Sequence, residues 1–371
     1  MKFLFVLEHF DPYLGGAEKL FKQVAKLLVS AGHEVNVVTT QFQAGLPVLE
    51  TIDGVQIRRV RCYNRFLFTI FSLPVLLQTA RQADVIHTTT YNAALPSWIV
   101  AKIWRKPSVI TYHEHWGDLW FQLPFLATWQ RWLFFLFEQM ISRLSFDNYI
   151  AVSEATKRSL IAVGIRGDKV YRIYNGVNYD RFQRVEADKT PYFSAIYYGR
   201  LGVSKGLDIL IPAWGDFTRQ HLAEQMVLRL VIPRYPAGLL AIVASLIKDH
   251  CLPGSVLLLH ELPSEQLFTM VKSSHTVVIP SYSEGFCFVA AEAVALDMPI
   301  ISSGRGALPE VVSGRHLHLP ALTIPAMITA LEQAHRNEWS YMPQRSFPLS
   351  DTGEQYLQFY DNLFTGQQFS L

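Results

Sequence analysis

The chain has 371 residues, enough for two domains of ordinary size; half of them are hydrophobic and 17% are charged. A formal net charge of +2 gives no bulk signal for nucleic acid, and three scattered cysteines (Cys62, Cys251, Cys287) form neither a disulfide framework nor a metal pattern, which points to a reducing cytoplasm. No stretch reaches the roughly 18–20 uncharged residues of a spanning helix: 66–80 is short and carries Pro74, 132–141 carries Glu138, and the apolar run 1–7 is only strand-length, so no signal peptide is read.

Residues 2–7 read as a buried strand, 8–16 as a loop ending in Gly15 and Gly16, 17–30 as a helix with apolar residues at helical spacing, and 34–40 as a second strand. The glycine pair thus stands where strand hands over to helix, the ligand crevice of an open α/β sheet. It lacks the three-glycine dinucleotide fingerprint, so a nicotinamide enzyme is not indicated; taken alone, such a pair is more often a plain turn. Strands at 54–61, 84–87, 108–112 and 149–152 alternate with an apolar segment at 66–80 and helices at 93–104 and 128–144. His113 closes the strand at 108–112, and His115 follows two positions later. Ser153 reads as an N-cap with Glu154 in the first turn. Strand and helix alternating through residue 173 make a first doubly wound domain.

Residues 175–178 form a turn-prone junction and 184–191 a polar linker. A second domain opens with a strand at 195–198 and the loop 199–206, in which Arg200 and Lys205 straddle glycines. Two cations at a strand end suit a diphosphate, Arg as a planar fork and Lys as a point charge; a solvated basic loop is the plain alternative. A helix at 207–220, strands at 226–232, 256–260 and 276–279, and helices at 324–334 and 353–364 follow.

The densest chemistry lies in 280–310. Turn residues 281–285 follow a buried strand, 286–296 reads as an apolar helix, and a strand at 299–302 runs into Gly304 and Gly306. Glu284 at the helix mouth and Glu292 inside it are eight positions apart, so they project from roughly one face. Either Glu284 caps the helix and Glu292 meets an arginine, or both accept from hydroxyls of a ligand whose anionic oxygens face the amides of 285–288.

The segment 283–293, SEGFCFVAAEA, resembles the signature of family 4 type retaining glycosyltransferases, which have the two-domain GT-B fold. The resemblance extends through Gly15–Gly16, His113, the hinge-like NGVNYDRF at 175–182, and GRLGVSKG at 199–206. It implies an α/β chain of two doubly wound Rossmann-like domains facing across a cleft: 1–175 for the acceptor, 176–350 for the nucleotide-sugar donor, and a closing helix within 351–371 returning to the first domain. It implies that Glu284 contacts the transferred sugar and Glu292 the ribose, with Gly285, Phe286, Phe288 and Val289 on the donor. Gly15 and Gly16 approach the donor phosphate, Arg200 and Lys205 neutralise the leaving diphosphate, and His113 lies beside sugar and acceptor. His113, Arg200, Lys205 and Glu284 are the expected catalytic set. Glu310 resembles a post-glycine glutamate of the family, with a surface ion pair as the alternative.

The activity so implied is front-face, retaining transfer of a hexose from a nucleotide diphosphate sugar to a glycan or lipid-linked acceptor, as in polysaccharide or glycolipid biosynthesis. A non-catalytic nucleotide-sugar-binding scaffold is the alternative, and a GT-B epimerase or phosphorylase a third reading. No Asp-any-Asp triplet and no His/Cys cluster occurs, so neither a metal nor another cofactor is expected. One departure is the prolines at 233 and 236, where the family carries a glycine near the base; base identity is therefore not predicted. The aromatic residues at 116–135 are either core or a face lying on a membrane, and the basic excess of residues 1–180 (19 Lys and Arg against 14 Asp and Glu) favours the second. The expected place is the cytoplasm, with peripheral contact at the inner face of the membrane.

Overall fold

The computed structural model describes residues 1–13 and 15–365; Leu14 and residues 366–371, the end of the expected segment 351–371, lie outside the described residues. The chain divides into two compact units. The first, residues 1–118, 132–176 and 349 onward, holds an eight-stranded sheet. Its strands are β1 (Lys2–Val6), β2 (Glu34–Thr40), β3 (Leu49–Ile52), β4 (Val55–Val60), β5 (Val85–Thr89), β6 (Ser108–Tyr112), β7 (Asn148–Ala151) and β8 (Val170–Arg172). The order is β3-β4-β2-β1-β5-β6-β7-β8, and every pair is parallel except β3 with β4.

Side chains of β1 alternate between two cores, as the period of a strand requires. Phe3, Phe5 and Leu7 pack with Leu20, Phe21, Val24 and Leu28 of helix Gly16–Ser30. Leu4 and Val6 pack on the other face with Phe68, Leu76, Ala80 and Val100. With both faces covered, β1 reads as the near-continuous apolar run expected of a central parallel strand. The segment 66–80 becomes two short helices, Phe68–Phe71 and Leu73–Ala80.

Helix Leu349–Thr365 completes this unit by burying Tyr356, Phe359 and Tyr360 against Phe3 and its neighbours. Each such side chain contributes roughly 1.5–3 kcal/mol of transfer free energy. Thr352 donates to the Tyr174 carbonyl at 2.9 Å, and a Cβ on Gly176 would strike the backbone of Leu349.

The second unit, residues 119–131 and 177–348, holds β9 (Phe193–Tyr198), β10 (Met226–Val231), β11 (Val256–Leu259), β12 (Thr276–Ile279), β13 (Ile300–Ser302), β14 (Gly314–His318) and β15 (Ser340–Met342). The order is β11-β10-β9-β12-β13-β14-β15, parallel but for β15. Both units are therefore mostly parallel α/β sheets with alternating helices. Helix Ala237–His250 starts directly after Pro236, in the segment whose prolines replace the expected glycine. The expected helix at 286–296 starts at Phe288 instead, because Cys287 takes a left-handed conformation (φ 72°) and ends the loop there.

His87 ties the closing helix to the first sheet. Its Nδ1 meets the Tyr360 hydroxyl at 2.5 Å and its Nε2 the Thr111 hydroxyl at 2.8 Å. Burial, and then the neighbouring His113, pushes its pKa down to about 3. The unfolded chain, with a value of about 6.5, binds this proton first. The contribution of neutral His87 is therefore complete above pH ~6.5 and lost as pH falls toward 3, by up to about 1.4 kcal/mol per pH unit. Urea midpoints between pH 7 and 4 should fall along this slope for the native chain. In H87Q, less stable at pH 7, that part of the slope should vanish.

Candidate active site

In the second unit the candidate residues gather at the carboxyl ends of two adjacent strands. β9 and β12 are hydrogen-bonded neighbours, so the loops that follow them meet although they are far apart in sequence. The Tyr282 amide donates to the Ser204 carbonyl at 2.7 Å. Gly206 has φ 69°, and a Cβ there would occupy the space of the Pro280 carbonyl oxygen. Only glycine allows both the left-handed turn and the close approach.

This contact brings Lys205 Nζ to 2.7 Å from Glu284 Oε1, with side chains only 15% and 11% exposed. Ser281 Oγ donates to the same oxygen at 2.6 Å. The Glu284 carbonyl accepts from the Ala307 amide at 2.8 Å, and Gly306, with φ 62°, passes so close to it that a Cβ would clash. The loop after β13 thus clamps the loop that carries Glu284. Arg200 lies exposed at the end of β9, its carbonyl accepting from the Tyr197 hydroxyl at 3.3 Å. Tyr282 donates from its hydroxyl to Asp208 at 2.7 Å, in the first turn of helix Leu207–Gln220.

Gly285 and Phe286 are buried, Phe288 and Val289 half-buried. Glu292 is half-buried in helix Phe288–Ala295; the Tyr198 hydroxyl donates to the Val289 carbonyl at 3.2 Å, and burial, and then the charge of nearby Glu292, pushes its pKa well above the usual value. Burial likewise raises the Cys287 thiol, which leaves it neutral and unsuited to act as a nucleophile. Glu310 is the third residue of the short helix Leu308–Val311, and its carbonyl accepts from Arg345 at 2.7 Å.

In the first unit, Gly15 is the N-cap of helix Gly16–Ser30, and the Glu18 carboxylate folds back over it where a Cβ would sit. Its φ of −148° is open to any residue, and the Glu18 carboxylate is the end of a flexible side chain that can swing aside, so neither backbone nor space demands glycine here. His113 follows β6 directly and is half-buried; Phe21 of the same helix meets its ring edge-on at 6.5 Å. The fallback, His115, lies 3.8 Å from Glu138 in nearly buried surroundings.

Sequence reasoning missed several supporting groups. Glu138 accepts from the amides of Trp116 at 3.0 Å and Gly117 at 2.7 Å and so fixes the loop after His113. Its signal was a carboxylate inside an apolar helix, which must find donors when buried. Glu8, at the end of β1, accepts from Asn92 at 2.8 Å and pairs with Arg65 at 2.7 Å. Next to Asn92, Tyr91 has φ 70°, a left-handed conformation that costs a bulky residue about 1–3 kcal/mol and is held by its surroundings.

Two family models match this chain: Glycosyltransferase Family 4 over residues 14–181, and Glycosyl transferases group 1 over residues 178–338. The chain is a family 4 glycosyltransferase. An uncharacterized glycosyltransferase of Methanocaldococcus jannaschii is 27% identical to it over 84% of this chain and 83% of the relative. The GDP-mannose:cellobiosyl-diphosphopolyprenol alpha-mannosyltransferase of Xanthomonas oryzae is also 27% identical, over 81% and 78%. Among solved structures, the glycosyltransferase resembles sucrose-phosphate synthase of Thermosynechococcus elongatus, with TM-score 0.81, 21% identity and 99% and 100% of the chains covered. It also resembles Anabaena HepE in complex with UDP-glucose, with TM-score 0.70, 17% identity, 98% and 100%. These likenesses give the GT-B fold.

The glycosyltransferase should be sensitive at Gly206 and tolerant at Gly202. A side chain at Gly206 meets a left-handed penalty of about 1–2 kcal/mol and a backbone clash. At Gly202 a Cβ would lie 3.6 Å from Lys205 Cγ, ordinary contact. Denaturant unfolding of G206A should show a loss of about 2 kcal/mol or more, and that of G202A a change within about 0.5 kcal/mol.

Proposed function

We propose that this glycosyltransferase moves a hexose from a nucleotide diphosphate sugar to a glycan or lipid-linked glycan acceptor, with retention at the anomeric carbon and no metal in the transfer step. The observation that carries this reading is the shielded Lys205–Glu284 pair beside exposed Arg200 at the end of β9. With Oε1 engaged by Lys205 and Ser281, Glu284 keeps Oε2 to accept from a sugar hydroxyl. Arg200 and Lys205 are the cations for the departing diphosphate, where charge grows as the glycosidic bond breaks. Glu292 holds the ribose, the amides and side chains of Gly285, Phe286, Phe288 and Val289 line the donor, and His113 and the Gly15–Gly16 turn serve the sugar and the donor phosphate. Both anomeric bonds lie on the same sugar face: the acceptor oxygen gains the new bond while the leaving phosphate oxygen takes its proton. The names of the Xanthomonas mannosyltransferase and of the UDP-glucose complex of HepE support a nucleotide-sugar donor, and the former a diphosphopolyprenol acceptor.

A thermal-shift panel of UDP-, GDP- and ADP-hexoses tests the donor. The matching one, at 100 times its dissociation constant, should add about 2.7 kcal/mol of stability. R200A and K205A should each weaken donor binding roughly 10- to 100-fold and lower kcat about 10²–10³-fold, with the native rate unchanged by EDTA. Transfer that survives both substitutions removes the reading; donor binding without turnover points to a binding scaffold instead.

A peripheral place on the membrane is proposed as well. On helix Thr128–Ser142, Trp132, Leu133, Leu136 and Met140 are 51%, 54%, 58% and 37% exposed, an apolar stripe with Arg131 and Arg143 close by. Among the described residues no helix is long and apolar enough to cross a membrane. In flotation with anionic vesicles, the native chain should rise with the lipid at low salt, and W132S/L136S should lower the bound fraction several-fold. No flotation of the native chain removes the membrane from this picture; equal flotation of the two removes this stripe as the anchor.

A further inference from the structure

Outside the candidate active site, the second unit gathers two imidazoles and two carboxylates around the ends of two helices. His221 is the C-cap of helix Leu207–Gln220. Glu332 and His335 occupy the last turn of helix Ile324–His335, three positions apart and so on one face. Glu224 sits in the turn after His221, its amide bonded to the His221 carbonyl at 3.0 Å. We propose that His221, Glu332 and His335 bind one divalent transition-metal ion, of which zinc suits them best, with Glu224 as a fourth ligand.

The distances are close to what coordination needs. One donor atom from each of His221, Glu332 and His335 lies within 4.8 Å of the others. His221 Nε2 is 2.7 Å from Glu332 Oε1, and His335 Nε2 is 3.0 Å from Glu224 Oε2. A tetrahedral ion with bonds of about 2.0–2.2 Å holds its ligand atoms roughly 3.3–3.6 Å apart, between the closest and the widest separations found here. The imidazoles are already braced. His335 meets the ring of Phe193 at 5.2 Å, His221 meets Phe217 at 4.9 Å, and the two imidazole centroids are 5.1 Å apart. Side chains of His221, Glu332 and His335 are 20%, 18% and 22% exposed, so the ligands are shielded yet reachable.

Charge favours a cation. Two carboxylates face two helix C-termini, each of which carries partial negative charge. Of the permanent cations nearby, Arg336 touches Glu332 at 3.6 Å from a largely exposed position, and Arg219 is engaged by Asp216 and the His250 carbonyl. Two imidazoles with carboxylates select zinc, and in descending fit other borderline ions, over magnesium or calcium, which prefer all-oxygen sites. The ion would fasten the end of helix Leu207–Gln220 to helix Ile324–His335, at the opposite end of the former from Lys205. Its role is structural and separate from the transfer chemistry.

Equilibrium dialysis of the untagged full chain against buffered free zinc, with metal content read by elemental analysis, tests the site. One zinc per chain should be retained at micromolar free zinc, with a rise in melting temperature that magnesium does not give and a chelator reverses. H335A and E332Q, both near the surface, should each weaken zinc binding at least 10-fold while keeping the far-ultraviolet spectrum of the native chain. Absence of bound zinc overturns the proposal, as does zinc bound equally by the native chain and the folded variants. Should H335A fail to fold, E332Q decides alone.

Discussion

A close approach of two backbones governs the second unit. The loop after β9 and the loop after β12 touch through the Tyr282 amide and through Gly206, where the Pro280 carbonyl fills the place of a side chain. Everything polar at this edge depends on that contact. Two charges about 4 Å apart attract by roughly 4 kcal/mol at an effective dielectric of 20, but taking them out of water offsets most of it. The Lys205–Glu284 pair is therefore a weak source of stability and a good way of holding two charges poised. The backbone fit, not the ion pair, holds the loops together.

The same logic runs through the first unit. A parallel sheet puts every loop that follows a strand at one edge, so Glu8 after β1, Asn92 after β5 and His113 after β6 share it. The carboxylates that support these loops are matched rather than left bare. Glu8 has Arg65 and Asn92, and Glu138 has two amides of the loop beyond His113. Such satisfied buried groups fix loop positions, because leaving any one of them unpaired costs about 1–3 kcal/mol. The fold itself is shared by enzymes with different sugars and acceptors, so what distinguishes this transferase lies in these loops.

Family membership and the two-sheet α/β architecture were legible in the residues. The alternation of Phe3, Phe5 and Leu7 with Leu4 and Val6 announces a strand covered on both faces, and both cores are present. Glycines 206 and 306 sit in the loops where turn chemistry was expected. Less visible were the edge strands β3, β8 and β15, the strand β14 next to an edge, and the helices Ala237–His250 and Ser264–Ser273. Edge strands are short and half-solvated, so their apolar pattern is faint, and Ala237–His250 is apolar over too much of its surface to show one face.

Local periodicity reports how each element is buried, and from it the sequence alone determined the succession of strands and helices, the position of the loops and the spacing of the signature residues. Which loops become neighbours depends on strand order, and no single segment encodes that order. Lys205 meets Glu284 only because β9 lies beside β12, and the Tyr198 hydroxyl reaches the Val289 carbonyl for the same reason. His221 meets Glu332, 111 positions away, only because two helices lie together on one face of a sheet. Pairings across such distances follow from packing the whole unit, and tertiary structure alone decided them.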